Sequence, residues 1–445
     1  MTKQNTLNEL SEFISIRSVS ADRTKRPEMR KAITFLVRKL KKMGFSVEIL
    51  KRQGAPSAIF AKYSIPNAKK TVGIYGHYDV QPEDPVEEWT VRPFALSRQS
   101  GKLFGRGVAD NKGHIIQNLA AVDYLISSES LKSNIIFFIE GEEECGSESF
   151  YSYIQEKERE LSSLDVFFIT DVGMHAKSVP QIIYALRGLV YFELEIRIGK
   201  RDLHSGVYGN AVLNPVQVLA ELLAKMKDTK TGEVHIPGFY DDVRALNSAE
   251  MRLLMKGTVD DKTFRKEAGT FTVTSMRNVP SFLAPKIFPS LDVHGIQSGF
   301  TGEGPKTVIP HRARVKFSCR LVEFQNVKNT EKQIRQFIET NLPAGVQYAL
   351  QTFSYDDPFY TSVDDPYIKK TAEILTVHFG HDTVLMREGG SVPAAEMMQR
   401  LFKTPVILTG FVLPDSNLHA PDENFDEEMF FEGIEALKKI YGSIV

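Results

Sequence analysis

The chain of 445 residues is 42% hydrophobic and 25% charged, an ordinary globular composition for two or three domains, which excludes a disordered, collagen-like or fibrous protein. Lys and Arg (55) balance Asp and Glu (56), so the net charge is −1 and the basic excess of a nucleic-acid or membrane-surface binder is missing. Two cysteines, Cys145 and Cys319, exclude a disulfide framework and a thiolate metal site. The opening MTKQNTLNELSEFISIRSVS has no apolar run of signal-peptide length, and no apolar stretch reaches ~18 residues. The expectation is a soluble, cytoplasmic protein with no nucleic-acid or membrane partner.

In chain order, Leu7, Leu10, Phe13 and Ile14 have helical spacing. Pro27 opens a second helix that buries Ile33, Leu36, Val37 and Leu40 and stops at Gly44. Phe45, Val47 and Ile49 alternate as a strand. Further strands are expected at 58–63, 71–75, 134–139 and 165–170, with helices at 113–127 and 147–161. This alternation predicts an α/β domain, a mostly parallel sheet flanked by helices. From about residue 187 the pattern changes to a strand at 189–198, a helix from Asn214-Pro215 to 227, alternating stretches at 270–277 and 313–321, a helix at 329–341 and a strand at 346–354. The α/β pattern returns with a helix ending at 379, a strand at 405–409 and a helix at 427–441. The economical reading is an α/β domain (1–186 and 361–445) interrupted by an inserted α+β domain (187–360).

Polar residues capable of chemistry follow the apolar strands, where open α/β sheets place their sites. Strand TVGIY runs into His77-Tyr78-Asp79, and an Asp can fix an imidazole by accepting its second N–H. The segment Gly105–Gly113 (GRGVADNKG) presents Asp110 beside a helix start, where a simple cap is the alternative. Strand NIIFFIEG enters Glu142-Glu143-Glu144. Adjacent carboxylates repel unless a cation or proton compensates them, or unless the turn is merely solvated. Strand DVFFIT ends at Asp171, and the loop after PVILTG contains His419. Together His77, Asp110, Glu144, Asp171 and His419 form a nitrogen and oxygen donor set suited to Zn²⁺, Mn²⁺ or Co²⁺. Two imidazoles and three carboxylates are more than one open catalytic ion takes, and they suit two ions ~3.5–4 Å apart.

In order along almost the whole chain, GHYDV, GRGVADNKG, EEECGS, the Asp after the next strand and LHAP resemble the co-catalytic metallopeptidase family, which holds carnosinases, cytosolic dipeptidases, aminoacylases, acetylornithine deacetylase and succinyl-diaminopimelate desuccinylase. LRGLVYFELEI with DLHSGVYGN, then KTVIPHRARVKFSCRLV and REGGSVP, resemble its dipeptidase and carnosinase branch. The context LHAPDE is that of many bacterial members. The resemblance implies a catalytic domain with an inserted lid and dimerisation domain, and hydrolysis of dipeptides with a free C-terminal carboxylate by a hydroxide bridging two divalent ions. His77, Asp110 and Asp171 would hold one ion, and Asp110, Glu144 and His419 the other. Asp79 would orient His77, and Glu143 would be the general base. It also implies a cis peptide at Asp110–Asn111. In the inserted domain His204 would stabilise the oxyanion and Arg320 bind the substrate carboxylate, with Thr307, Ser391 and Arg387 as further substrate contacts. A homodimer through the inserted domain would present His204 to the neighbouring chain's metal site.

The residue types fit these roles. A carboxylate takes a proton from water and returns it to the leaving amine, an imidazole N–H steadies an oxyanion, and a guanidinium forks onto a carboxylate. On 313–321, Val315, Phe317, Cys319 and Leu321 face one way, and Arg314, Lys316, Ser318 and Arg320 the other. His114, His175, His235, His294, His311, His378 and His381 read as structural or surface residues, and Cys145 as packing. The competing readings are an N-acyl-amino-acid deacylase or carboxypeptidase of the same family, a non-catalytic binding protein on this scaffold, and a metal-free hydrolase using two carboxylates.

Overall fold

The computed structural model describes residues 2–390 and 392–444. It divides into two compact units, one formed by Met1–Tyr184, Thr361–Met386 and Val392–Val445, the other by Ala185–Tyr360 with Arg387–Ser391. The short segment 387–391, assigned from sequence to the second part of the catalytic domain, clusters instead with the inserted unit.

At the centre of the first unit four strands run parallel: Asn134–Glu140, Thr71–His77, Val166–Ile169 and Val406–Thr409, with registers Thr71↔Asn134, Val72↔Val166 and Val406↔Phe167. Antiparallel strands flank them, Ala58–Tyr63 and then Ser46–Leu50 on one side and Gln181–Leu186 on the other. The central strands read as unbroken apolar runs because both faces are covered. Phe168 meets Tyr441 of the helix Glu427–Gly442 on one face. The next residue back, Phe167, lies by Tyr75, which meets Phe150 of the helix Phe150–Glu156 on the other. The helix Lys112–Ser127 is buried along most of its length because Glu427–Gly442 and Lys3–Ile14 both pack on it. Parallel strands end on one edge of a sheet, so His77, Glu140 and the residues after Ile169 and Thr409 share that edge.

The second unit is a four-stranded antiparallel sheet in the order Ser290–Ser298, Arg312–Leu321, Gly188–Arg197, Gln347–Asp356. Val190, Phe192, Leu194 and Ile196 face Val315, Phe317, Cys319 and Leu321 in one core, which the helices Pro215–Met226 and Val327–Asn341 close. Asn214 and Asn326 cap those helices through their side-chain oxygens.

Two expectations are corrected and one strand is added. Residues 270–277 form no strand: Phe271 is fully exposed, and a 3₁₀ turn begins at Met276. The alternation of Thr with Phe and Val there has no sheet edge to join. The edge strand is Ser290–Ser298, in which only Leu291 is buried and a bulge falls between Val293 and Gly295. An edge strand open on one face and bulged carries little apolar signal. The helix expected over 147–161 is two short helices, Phe150–Glu156 and Glu158–Leu161, broken at Lys157.

Candidate active site

His77 closes a fully buried strand and is itself 0% exposed, as is Asp79. Its Nδ1 lies 3.2 Å from the Asp79 carbonyl oxygen and 3.4 Å from Asp79 Oδ1. With the proton on Nδ1, the Nε2 lone pair points the opposite way, 2.9 Å from Asp110 Oδ1 and 3.6 Å from Asp171 Oδ1. That buried Nε2 has hydrogen-bond geometry to neither carboxylate. A nitrogen lone pair converging with two carboxylate oxygens, and bonded to none, is the arrangement a cation between them requires.

Asp110 sits in a loop whose path depends on Gly107, at φ +85°, where a Cβ would lie 2.7 Å from Val80. The Asp110–Asn111 peptide is cis. Asp110 Oδ2 lies 2.8 Å from His419 Nε2, so the two oxygens of one carboxylate face two imidazoles. The backbone of this loop is held by a residue that the sequence reading passed over. Glu423 accepts the amides of Gly107 (2.9 Å), Ala109 (2.9 Å) and Asp110 (3.0 Å). A lone Glu four residues past His419 offered no signal except its place in LHAPDE. Asn111, marked in the sequence only by its place in GRGVADNKG and the expected cis peptide, donates to Asp171 Oδ1 at 2.6 Å and to the Thr170 carbonyl at 2.8 Å.

The acidic run 142–144 leads into a 3₁₀ turn, Glu143–Cys145. The Glu144 amide donates to Asp79 Oδ2 at 3.1 Å, while its carboxylate accepts Gln81 Nε2 at 2.8 Å and lies 3.2 Å from His419 Nε2. His77, Asp110 and Glu144 bring ligand atoms within 4.8 Å of one another. Asp171 and His419 border that group through the 3.6 Å and 2.8 Å approaches. Thus the five expected metal ligands, with Asp79 and Glu143, come from one unit: His77 ends a central strand, Asp79, Glu143, Glu144 and Asp171 follow such strands, Asp110 enters from the loop before the helix Lys112–Ser127, and His419 from the loop after Val406–Thr409.

The charges explain what such a group would hold. Burial opposes a proton on His77, but Asp171, Asp110 and Asp79 outweigh it and raise the imidazole well above its ordinary range. Hydrogen bonds to Asp110 and Glu144 raise His419 to about 10. Burial alone would raise the Asp110 carboxyl, yet the two imidazoles hold it well below the usual carboxylate range. Carboxylates that draw protons onto two imidazoles can draw divalent cations in their place. The donor set therefore fits a metal group. Burial raises Glu143 well above the usual range, as does the nearby acidity, and it raises Glu144 less far. A carboxyl raised by burial holds a proton more readily than a free one does.

The remaining expected residues lie in the second unit. His204 is exposed on a two-residue strand paired with Val308–Ile309, which sets it beside Thr307; the Thr307 carbonyl accepts the Ser205 amide at 3.2 Å. His204 Nδ1 accepts the Gly206 amide at 3.0 Å, which leaves Nε2 as the N–H donor of the neutral ring. Arg320 lies on the polar face of its strand, opposite Leu189 and Ser290, and has no ion pair among the described residues. Beside it is Arg187, whose Nη2 donates to Ser290 Oγ at 2.7 Å; burial and the Arg320 charge lower Arg187 to about 10. Arg187 precedes a strand in an apolar context, and only its place in LRGLVYFELEI marked it in the sequence.

Arg387 is corrected. It is 1% exposed and locked by Glu323, with Nη1 to Oε2 at 2.8 Å, and by Glu250 at 2.9 Å; Arg244 joins the same two carboxylates. A guanidinium shared between two buried carboxylates is a structural cation rather than a substrate contact. Ser391 lies outside the described residues. Among the described residues no helix is long and apolar enough to cross a membrane.

Residues 73–442 match the family model described as Peptidase family M20/M25/M40. The chain is 33% identical over 386 residues to the human Beta-Ala-His dipeptidase, covering 85% of this chain and 75% of that protein. It is 29% identical to the Cys-Gly metallodipeptidase dug1 of Schizosaccharomyces pombe, covering 97% and 94%. Among solved structures, the M20 family metallo-carboxypeptidase Sso-CP2 of Sulfolobus solfataricus superposes with a TM-score of 0.85 at 30% identity, over 99% of both chains. Human carnosine dipeptidase 1 superposes with a TM-score of 0.75 at 29% identity, over 99% of this chain and 96% of that one.

Proposed function

The chain belongs to peptidase family M20/M25/M40, and we propose that it is a metal-dependent dipeptidase that hydrolyses dipeptides bearing a free C-terminal carboxylate. The observation that carries the reading is Asp110, one carboxylate with an oxygen 2.9 Å from His77 and the other 2.8 Å from His419. Its two oxygens suit two ions, with His77 and Asp171 on one side and Glu144 and His419 on the other. Such ions, Zn²⁺ with Mn²⁺ or Co²⁺ as alternates for a set of imidazole and carboxylate donors, would supply Lewis acidity and acidify water.

The chain's own residues do the rest. Asp79 fixes the His77 ring, and Glu423 fixes the loop of Asp110. Glu143 accepts the proton of the attacking water and delivers it to the leaving amine. His204 directs its Nε2–H to the oxyanion. Arg320, with Arg187 beside it, receives the substrate carboxylate, and Thr307 adds a polar contact. The protein works as a cytoplasmic homodimer joined through the inserted unit, and His204 serves the neighbouring chain's site. Glu143→Ala chains mixed with His204→Ala chains should then regain partial activity on subunit exchange; exchange without recovery would mean that His204 serves its own chain or is not catalytic.

The decisive assay is a panel of dipeptides, tripeptides and N-acetyl amino acids after reconstitution with Zn²⁺, Mn²⁺ and Co²⁺. Cleavage confined to dipeptides and abolished by chelation supports the reading. The likeness to the Sulfolobus metallo-carboxypeptidase favours a second reading, a carboxypeptidase, which would release C-terminal residues from longer peptides in the same panel.

A further inference from the structure

Within the first unit, beside the metal ligands' sheet edge, a separate cavity of about 430 Å³ opens between the segment 20–33, the loop 51–57 and the turn that carries Glu142. Four cations line it: Arg23, Arg26, Arg30 and Lys51. Two acids line it as well, and both are engaged locally. Asp22 accepts the amide and hydroxyl of Thr24 at 2.8 and 2.7 Å, and Glu142 accepts the Ser149 amide at 2.9 Å. Arg26 is fixed by a 2.7 Å hydrogen bond to the Gly54 carbonyl. Among the described residues the side chains of Arg23, Arg30 and Lys51 have no ion pair or hydrogen bond.

Neighbouring cations behave differently: Lys31 pairs with Glu28 at 2.6 Å, Arg52 with Glu156 at 3.0 Å and Lys157 with Glu48 at 2.6 Å. Like charges gathered around one opening repel, and the two acids there, bonded to Thr24 and Ser149, form no ion pair with them among the described residues. The wall beneath them is apolar, made by Met29 (6% exposed), Ile33 (8%) and Tyr78 (0%) with Pro56. Ser20 and Ser57 add hydroxyls.

We propose that this cavity is a second binding site, for a small organic phosphate monoester whose body is apolar or aromatic. Guanidinium groups fork onto phosphate oxygens, Lys51 adds a point charge, and the apolar wall takes the ring or chain that carries the phosphate. The volume is in the range of small-molecule sites. Glu142 and Cys145 line the cavity and flank Glu143 and Glu144, so an occupant bears on the turn that holds the general base, as an effector would. A dipeptide carries no such group, which distinguishes this ligand from the substrate.

The test is calorimetric titration of the metal-loaded enzyme at about 50 mM salt with phenyl phosphate, adenosine monophosphate and inorganic phosphate. The expected result is one organic-phosphate site per chain, with inorganic phosphate at least about tenfold weaker because it cannot use the apolar wall. The variant Arg23→Ala/Arg30→Ala/Lys51→Ala should weaken phenyl phosphate at least about tenfold while dipeptide turnover without ligand stays within about twofold. The single reversal Arg30→Glu should weaken binding in the same direction, and its melting temperature checks the fold. Binding of phenyl phosphate that survives both variants would place the anion on the metal centre and overturn the proposal. Equal affinity for inorganic and phenyl phosphate would overturn it too, as would no heat up to about 10 mM of either organic ester, a limit of only a few kcal/mol.

Discussion

Glu423 and Arg106 form a buried ion pair at 2.8 Å, each side chain 1% exposed, and the same Glu423 carboxylate accepts the amides of Gly107, Ala109 and Asp110. The loop that brings Asp110 between two imidazoles is therefore anchored by the loop that carries His419. Arg106 is further held over the Trp89 ring at 5.2 Å.

Glu423→Gln keeps the size of the side chain but removes the charge that faces Arg106 and leaves one oxygen for all those donors. Breaking a buried pair by removing one partner costs about 3–5 kcal/mol. The expected outcome is a lowered melting temperature together with lowered metal content by elemental analysis. Unchanged metal content in a clearly destabilised variant would confine Glu423 to stability.

Glu143→Gln should reduce turnover by a factor of ~10²–10⁴ and leave metal content intact, because it removes the proton carrier and not a ligand. Glu144→Ala should instead lower metal content. Metal analysis and kcat on the same preparations separate the two, and identical metal loss in both variants would sink the assignment of base and ligand.

Glu140 ends the strand beside His77 and is wholly buried, with Oε1 accepting Tyr75 at 2.8 Å and Ser147 at 2.9 Å. Burial first, and then the charge of Asp79, raise its carboxyl to about 8 from 4.5. Between those two values the folded chain holds a proton that the unfolded chain has lost, so this group costs stability progressively as pH rises through that window. Glu140→Gln keeps an oxygen for Tyr75 and Ser147 and removes the titration. Its melting temperature should exceed the parent's at pH 8.5, by a margin that shrinks toward pH 5. A margin independent of pH would refute this account.

Arg320→Ala should raise KM for dipeptides with a free carboxylate, with a loss of about 2–3 kcal/mol in transition-state binding, and change little for C-terminally amidated analogues. Equal losses for both substrates would mean that Arg320 does not read the carboxylate.

Arg387→Ala should behave otherwise, as a stability variant. It leaves Glu250 and Glu323 buried with less compensation, at a cost of about 3–5 kcal/mol. Urea unfolding should show the loss, and KM in the folded fraction should stay near the parent value. A stable variant with a raised KM would return Arg387 to the substrate site.

The sequence by itself determined the strands of the central sheet and the polar residues at their ends. An apolar run buried on both faces leaves few positions for charge, so His77, Glu143, Glu144 and Asp171 stand out where each run stops. It determined the alternation on Arg312–Leu321 for the same reason, since one face is core. It did not determine the edge strand Ser290–Ser298, whose solvent-facing side and bulge erase the period. Nor did it separate the two arginines. Arg320 and Arg387 both follow apolar residues in strands, and their difference lies in what other segments bring to them: Glu250 and Glu323 close on Arg387, while among the described residues Arg320 forms no ion pair. The same holds for Glu423, a single acid in a polar loop until the fold sets it under Arg106 and the Asp110 backbone. Burial and hydrogen bonding between segments hundreds of residues apart are not written in local composition, and only the tertiary structure decided which charges are anchors and which remain open for chemistry.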